Sequence, residues 1–181
     1  MSRIHLVDPA LTSDPRAALL APIQAAFGAT PNMFRAVANS PAALKSMWGA
    51  FAALGNGVLP PKLGEQIAVA VADRNACEYC LAAHTALGRK AGASADEMAA
   101  AQQGESSDPK TAAALRFALK LVDERGQVGA ADVQALREAG FDDERIVEIL
   151  AHVALNLFTN YVNVAFAVPV DFPAVALRRA A

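Results

Sequence analysis

Asp14-Pro15, Ser40-Pro41 and Asp108-Pro109 each place an N-capping side chain directly before a proline. The capping oxygen takes a first-turn N–H, and proline at the first helical position loses nothing by lacking one. Each pair therefore predicts a helix start. Gly92, Gly126 and Gly140 predict stops, because glycine adopts the left-handed backbone that ends helices. No stretch alternates cleanly at period two, so strands are not expected. The chain is 54% hydrophobic but only 6% aromatic. Alanine, the best helix former, supplies much of that bulk. The expected fold class is all-α.

Helices are expected over 15–27, 41–54, 61–73, 75–91, 95–103, 109–125 and 130–138, with a short turn at 32–38. A final long helix starts at Asp142 or Asp143 and ends before Pro169. Ser94 and Glu97 form a capping box, and Asn75 with Glu78 has the same form. Residues 1–14 read as an irregular arm, and 169–181 as a tail that is irregular and then briefly helical. The length suits one domain over 1–181 with a sizeable core. Shifted by 79 residues, Glu65 falls on Glu144, Cys77 on Asn156, Cys80 on Thr159 and His84 on Asn163. This suggests a duplicated helical hairpin whose second copy carries no thiol.

Net charge is −2 and no basic patch is present, so a nucleic-acid partner is not expected. The N-terminus has no apolar run of the kind that signal peptides use, which points to the cytoplasm. Residues 149–170 are long and uncharged enough to imitate a membrane span. His152, Asn156, Thr159, Asn160 and Asn163 make that reading costly in lipid, so no membrane association is expected. Charged residues make up 19% of the chain, below the usual ~25%. Another subunit covering part of the apolar surface would account for this.

The chemistry concentrates at "NACEYCLAAH", residues 75–84, which holds both cysteines of the chain. Cys77, Cys80 and His84 are three and four apart and share one helical face. A helix N-terminus favours thiolate, and a CxxC pair lowers a thiol below its free value of roughly 8.5. The helix dipole favours Cys77 and the base at His84 favours Cys80; the nearby base acts more specifically. Glu65, an acid on an otherwise apolar segment, needs a partner and can orient His84. The pattern gives a Glu65–His84–Cys80 relay, with Cys77 ready to resolve an oxidised Cys80. Two other readings stay open. The thiols are buried by accident of spacing, or they belong to a metal site with His84 and Glu65. No second CxxC or HxxxH completes such a site, and no metal is expected.

Glu65-x11-Cys77-x2-Cys80-x3-His84, with "TPNMFRAVANSP" before it and "NLFTNYVNVAFAVPVDFP" after it, resembles the signature of the AhpD-like alkylhydroperoxidases. These belong to the carboxymuconolactone decarboxylase superfamily, and the likeness is to its single-domain, peroxidase-related branch. The resemblance implies an all-α homo-oligomer, trimeric or hexameric, that reduces hydroperoxides. It implies Cys80 as the peroxidatic thiol, Cys77 as the resolving one, His84 as base and Glu65 as its partner. The cofactor it implies is none beyond the Cys77–Cys80 disulfide itself. An external dithiol, on a lipoylated or thioredoxin-like protein, would supply electrons. Tyr79 stands where better-studied relatives place a histidine, and Asn163 is a candidate pocket residue through the repeat. The alternative functions are a thiol–disulfide oxidoreductase or redox sensor without peroxidase turnover, and a non-enzymatic oligomeric helical protein.

Overall fold

Pro22, Pro41, Pro61 and Pro109 each stand in the first turn of a helix, where a missing N–H costs nothing. The structure is a computed structural model that describes residues 2–11 and 13–178. Its helices are α1 (Ala21–Phe27), α2 (Asn32–Val37), α3 (Pro41–Gly55), α4 (Pro61–Arg74), α5 (Glu78–Lys90), α6 (Ala95–Gln102), α7 (Pro109–Asp123), α8 (Ala130–Glu138) and α9 (Asp143–Ala165). No strand occurs among the described residues, so the all-α fold is observed. Ser40, Ser94, Asp108 and Asp142 cap their helices as expected, with side-chain oxygens on third-position N–H groups at 2.8–3.2 Å.

Two helix starts differ from expectation. Residues 15–27 do not form one α-helix. A 3₁₀ turn over Ala17–Leu20 precedes α1. Pro22 cannot donate to a carbonyl one turn back, so the preceding segment tightens instead. Asp14 accepts from the Arg16 N–H at 2.9 Å rather than capping a helix. The second difference lies at the cysteines. Asn75 does not cap α5; it is the C-cap of α4. Ala76 then adopts a left-handed backbone with φ 52°, and Cys77 becomes the N-cap of α5.

Helix α4 lies at the centre and packs against α5, α6, α7 and α9. Its residues Gln66 to Asp73 are all buried. Such all-round burial is what an unbroken apolar run such as Ile67–Ala72 is suited to. Truncating fully buried Ile67 to alanine would cost about 2–5 kcal/mol. At Gly88, α5 lies directly against Glu65 of α4 and Met98 of α6. A Cβ there would fall 2.4 Å from Met98 Cε and 3.3 Å from Glu65 Cβ. The absent side chain lets α5 lie against the α4 turn that carries Glu65.

The arm and the tail are irregular but tied down. The Arg3 N–H bonds the Phe166 carbonyl at 2.7 Å, and Val7 is fully buried. In the tail, Asp171 accepts the Asn32 N–H at the start of α2, at 2.7 Å. The Arg178 N–H and the Gln102 amide both donate to buried Asp73 Oδ1, at 2.9 and 2.7 Å. No helix forms through Arg178; a helical end over 179–181 would lie outside the described residues. The duplicated hairpin is not found. The segment expected to repeat α4 and α5 is the single unbroken helix α9, with no turn where Ala76 breaks the first copy. Its outer side leaves Val147, Leu150, Phe158 and Tyr161 exposed.

Candidate active site

The turn after α4 sets the site. Because Cys77 is the N-cap, its Sγ accepts the Cys80 N–H at 3.3 Å, the bond a capping oxygen would make. Cys80 then sits in the first turn of α5, and His84 follows one turn later. Both thiols are free and buried, at 1% and 2% exposure. Glu65 meets His84 as the spacing implies: its Oε2 lies 2.7 Å from His84 Nδ1. The two side chains are 23% and 12% exposed.

Helix α9 completes the surroundings of Cys80. Asn163 Nδ2 donates to Cys80 Sγ at 3.1 Å, and the thiol lies 3.9 Å from Thr159 Oγ1. Asn160 Nδ2 is buried without a hydrogen-bond partner, and its amide favours the Cys80 thiolate. Asn160 is itself fixed by the Asn75 amide, which donates to its Oδ1 at 2.9 Å. The sequence reading assigned Asn160 no part in the site. The available signal was the stripe Asn156, Thr159, Asn160 and Asn163, spaced to one face of an otherwise apolar helix.

These contacts separate the two thiols. Burial alone would raise Cys80. The Cys77 thiol donating to it, the His84 charge and the two asparagine amides outweigh burial and hold Cys80 below an ordinary thiol. Cys77 is pushed up, first by that same hydrogen bond and then by burial, so it keeps its proton. Burial opposes a charge on His84, but the Glu65 carboxylate and the Cys80 charge raise it above an ordinary imidazole. These shifts favour a thiolate at Cys80, a charged imidazole at His84 and a proton kept on Cys77.

Cys80 and His84 face a small pocket walled by Phe27, Phe34, Phe51, Tyr79 and Phe172. Its exposed lining is almost wholly apolar. Tyr79 is part of that wall. Its hydroxyl accepts the Met33 N–H at 3.2 Å, and its ring meets Phe172 edge-on at 5.7 Å. Burial, helped by Asp171, pushes its phenol up, so it stays protonated. On the far side of Glu65 and His84 lies a second pocket holding His152 and Asn156. Among the described residues no three His, Cys, Asp or Glu side chains converge as a metal would require.

A model of the carboxymuconolactone decarboxylase family matches residues 40–124, which include Glu65, both cysteines and His84. None of the curated proteins matches the sequence. Among solved structures, the chain is similar to an uncharacterized peroxidase-related protein of Ralstonia eutropha JMP134, an alkylhydroperoxidase AhpD core. The identity is 30% and the TM-score 0.82, over 94% of this chain and 92% of that one. A peroxidase-related protein of Silicibacter sp. TM1040 is 26% identical with TM-score 0.78, over 97% and 92%. The debrominase Bmp8, solved in complex with 2,3,4-tribromopyrrole, shares the fold at 21% identity and TM-score 0.77, over 94% of each chain. No helix among the described residues is long and apolar enough to cross a membrane. Fold, family match and the 30% identical relative agree, and the chain belongs to the AhpD-like proteins of the carboxymuconolactone decarboxylase superfamily.

Proposed function

We propose that the protein is a thiol peroxidase that reduces organic hydroperoxides through Cys80. The observation that carries this is the setting of the Cys80 sulfur. It is held as thiolate by Asn163 and by the Cys77 thiol, on the same helix face as a His84 paired with Glu65 at 2.7 Å. A thiolate is the species that attacks a peroxide oxygen. In the reaction an S–O bond forms at Cys80, the O–O bond breaks, and the departing alkoxide takes a proton from His84. Cys77 then attacks the Cys80 sulfenic acid. An S–S bond forms and the hydroxyl leaves with the Cys77 proton as water.

The aromatic pocket supports an organic peroxide over hydrogen peroxide, since its lining offers apolar contact to a carbon substituent. The exposed apolar stripe of α9 supports a homo-oligomer. To test the reading, reduced protein is mixed with cumene hydroperoxide, and thiols, peroxide and alcohol are counted. The expected result is loss of two thiols per peroxide consumed, abolished in Cys80→Ser. Peroxide consumption that persists in Cys80→Ser would refute the assignment. Reaction no faster than that of free cysteine would point instead to a thiol–disulfide oxidoreductase or redox sensor.

A further inference from the structure

The two sulfurs of the pair line different pockets. Cys80 faces the aromatic pocket with His84. Cys77 faces a separate surface hollow formed by Ala76, Glu78, Asn163, Val168 and Val170. Tyr79 lines both and stands between them. We propose that the reducing dithiol enters through the Cys77 hollow and attacks Cys77, so that peroxide and reductant use separate doors to one disulfide. The inference rests on the redox pair of the proposed function but not on which oxidant makes the disulfide.

The chemistry agrees with the geometry. Thiol–disulfide exchange needs attack on one sulfur while the other departs, and the more stabilised thiolate leaves faster. Cys80 is that leaving group: Asn163, Asn160 and His84 all favour its anion. The donor thiolate therefore forms a bond to Cys77 Sγ, the Cys77–Cys80 bond breaks, and Cys80 leaves with the electron pair. The donor's second thiol then attacks its own first sulfur. This closes the donor disulfide and expels Cys77, which takes up the proton. The donor loses two electrons and the protein disulfide gains them. Attack from the other side would have to expel Cys77, which the site does not stabilise as an anion.

The hollow also limits the partner. Its lining mixes polar and apolar groups, with Glu78 the one charged side chain beside Val164, Val168 and Val170. Cys77 is only 1% exposed. A donor must extend its thiol on a narrow arm that carries no negative charge near the sulfur.

The test starts from protein oxidised with diamide, so it does not depend on peroxide chemistry. Brief exposure to 2-mercaptoethanol, acid quenching, alkylation with N-ethylmaleimide and peptide mass spectrometry locate the adduct. The expected result is mercaptoethanol on Cys77 and maleimide on Cys80, with a preference of roughly tenfold or more. Equal labelling, or adduct mainly on Cys80, would overturn the proposal. A second arm uses Val170→Trp, which narrows the hollow but lies outside the Cys80 pocket. Reduction of its disulfide by dithiothreitol should slow about fivefold or more, while peroxide oxidation of the reduced form stays unchanged. Unchanged reduction would overturn the proposed door. Absence of peroxide consumption would sink the peroxidase reading and leave the labelling result standing.

Discussion

Asn163 donates its amide to Cys80 Sγ at 3.1 Å, across 83 positions of sequence. The contact ties the longest helix of the protein to the first turn of α5. It makes the state of the thiol depend on how α9 is seated. Asn163→Leu removes a donor to a charged acceptor, worth about 1.5 kcal/mol at the lower end. The Cys80 pKa should rise by about one unit. Iodoacetamide alkylation rates measured against pH would report this, and an unmoved midpoint would refute the role given to Asn163.

The pH profile of peroxide reduction should be bell-shaped. Cys80 is lowered, so reactivity is present above its folded pKa and is lost as pH falls through it. His84 is raised, so the proton it donates is present below its folded pKa and is lost as pH rises through that value. Linkage carries the same signs into stability. The His84 contribution is complete below the unfolded value of roughly 6.5 and fades above it, through the raised folded pKa. The Cys80 contribution is complete above the unfolded thiol value of roughly 8.5 and fades below it, through the lowered folded pKa. A profile with no alkaline limb would remove His84 from the reaction.

Glu65→Gln should move that alkaline limb to lower pH, because the carboxylate raises His84. It should also destabilise the fold by about 1–3 kcal/mol, less than a fully buried pair because Glu65 is 23% exposed. NMR titration of the His84 ring protons reads the first effect, and urea unfolding the second. A ring pKa equal to that of the parent protein would mean that the 2.7 Å contact does not govern the imidazole.

Gly88→Ala tests how that contact is achieved. The new methyl would meet Met98 and stand 3.3 Å from Glu65 Cβ, so α5 must shift or Met98 must repack. A cost of about 1–3 kcal/mol is expected, as for overpacking elsewhere. His84 should titrate lower as its distance from Glu65 grows. Retention of both stability and the His84 titration would show that the helices approach for another reason.

Tyr79→Phe separates wall from acid. The Met33 N–H loses its acceptor, so a cost of about 1 kcal/mol is expected. The peroxide rate should stay within about twofold, because a phenol with a reference pKa near 10, raised further by burial, supplies no proton at neutral pH. Stopped-flow oxidation of the reduced variant decides this, and a large loss of rate would give the hydroxyl a chemical part.

Much of the helix pattern could be read from Ser40, Ser94, Asp108 and Asp142, because capping is local and each cap lies within one turn of its target. Glu65, Cys80 and His84 were legible because two helices with the right spacing carry them. The start of α5 was not. Alanine has no preference for a left-handed backbone, so nothing local marked Ala76 as the break that turns Cys77 into a cap. The contribution of Asn160 required knowing that α9 crosses the N-terminus of α5. The polar stripe on α9 marked a buried, hydrogen-bonded face without saying what it bonds. Phe172 lies in a segment with no periodicity, and its place in the pocket wall depends on Asp171 anchoring the tail to Asn32.

The thiols and the groups that activate them are made at different times. During synthesis Cys77, Cys80 and His84 emerge long before Asn160, Asn163 and Phe172. Until α9 is laid across α5, Cys80 lacks its amide donors and the aromatic pocket lacks a wall. A nascent or partly folded chain therefore lacks the Asn163 share of what lowers Cys80, and that share comes only with the finished fold. The pH at which Cys80 ionises, rather than its mere presence as a thiol, should for this reason follow the docking of α9.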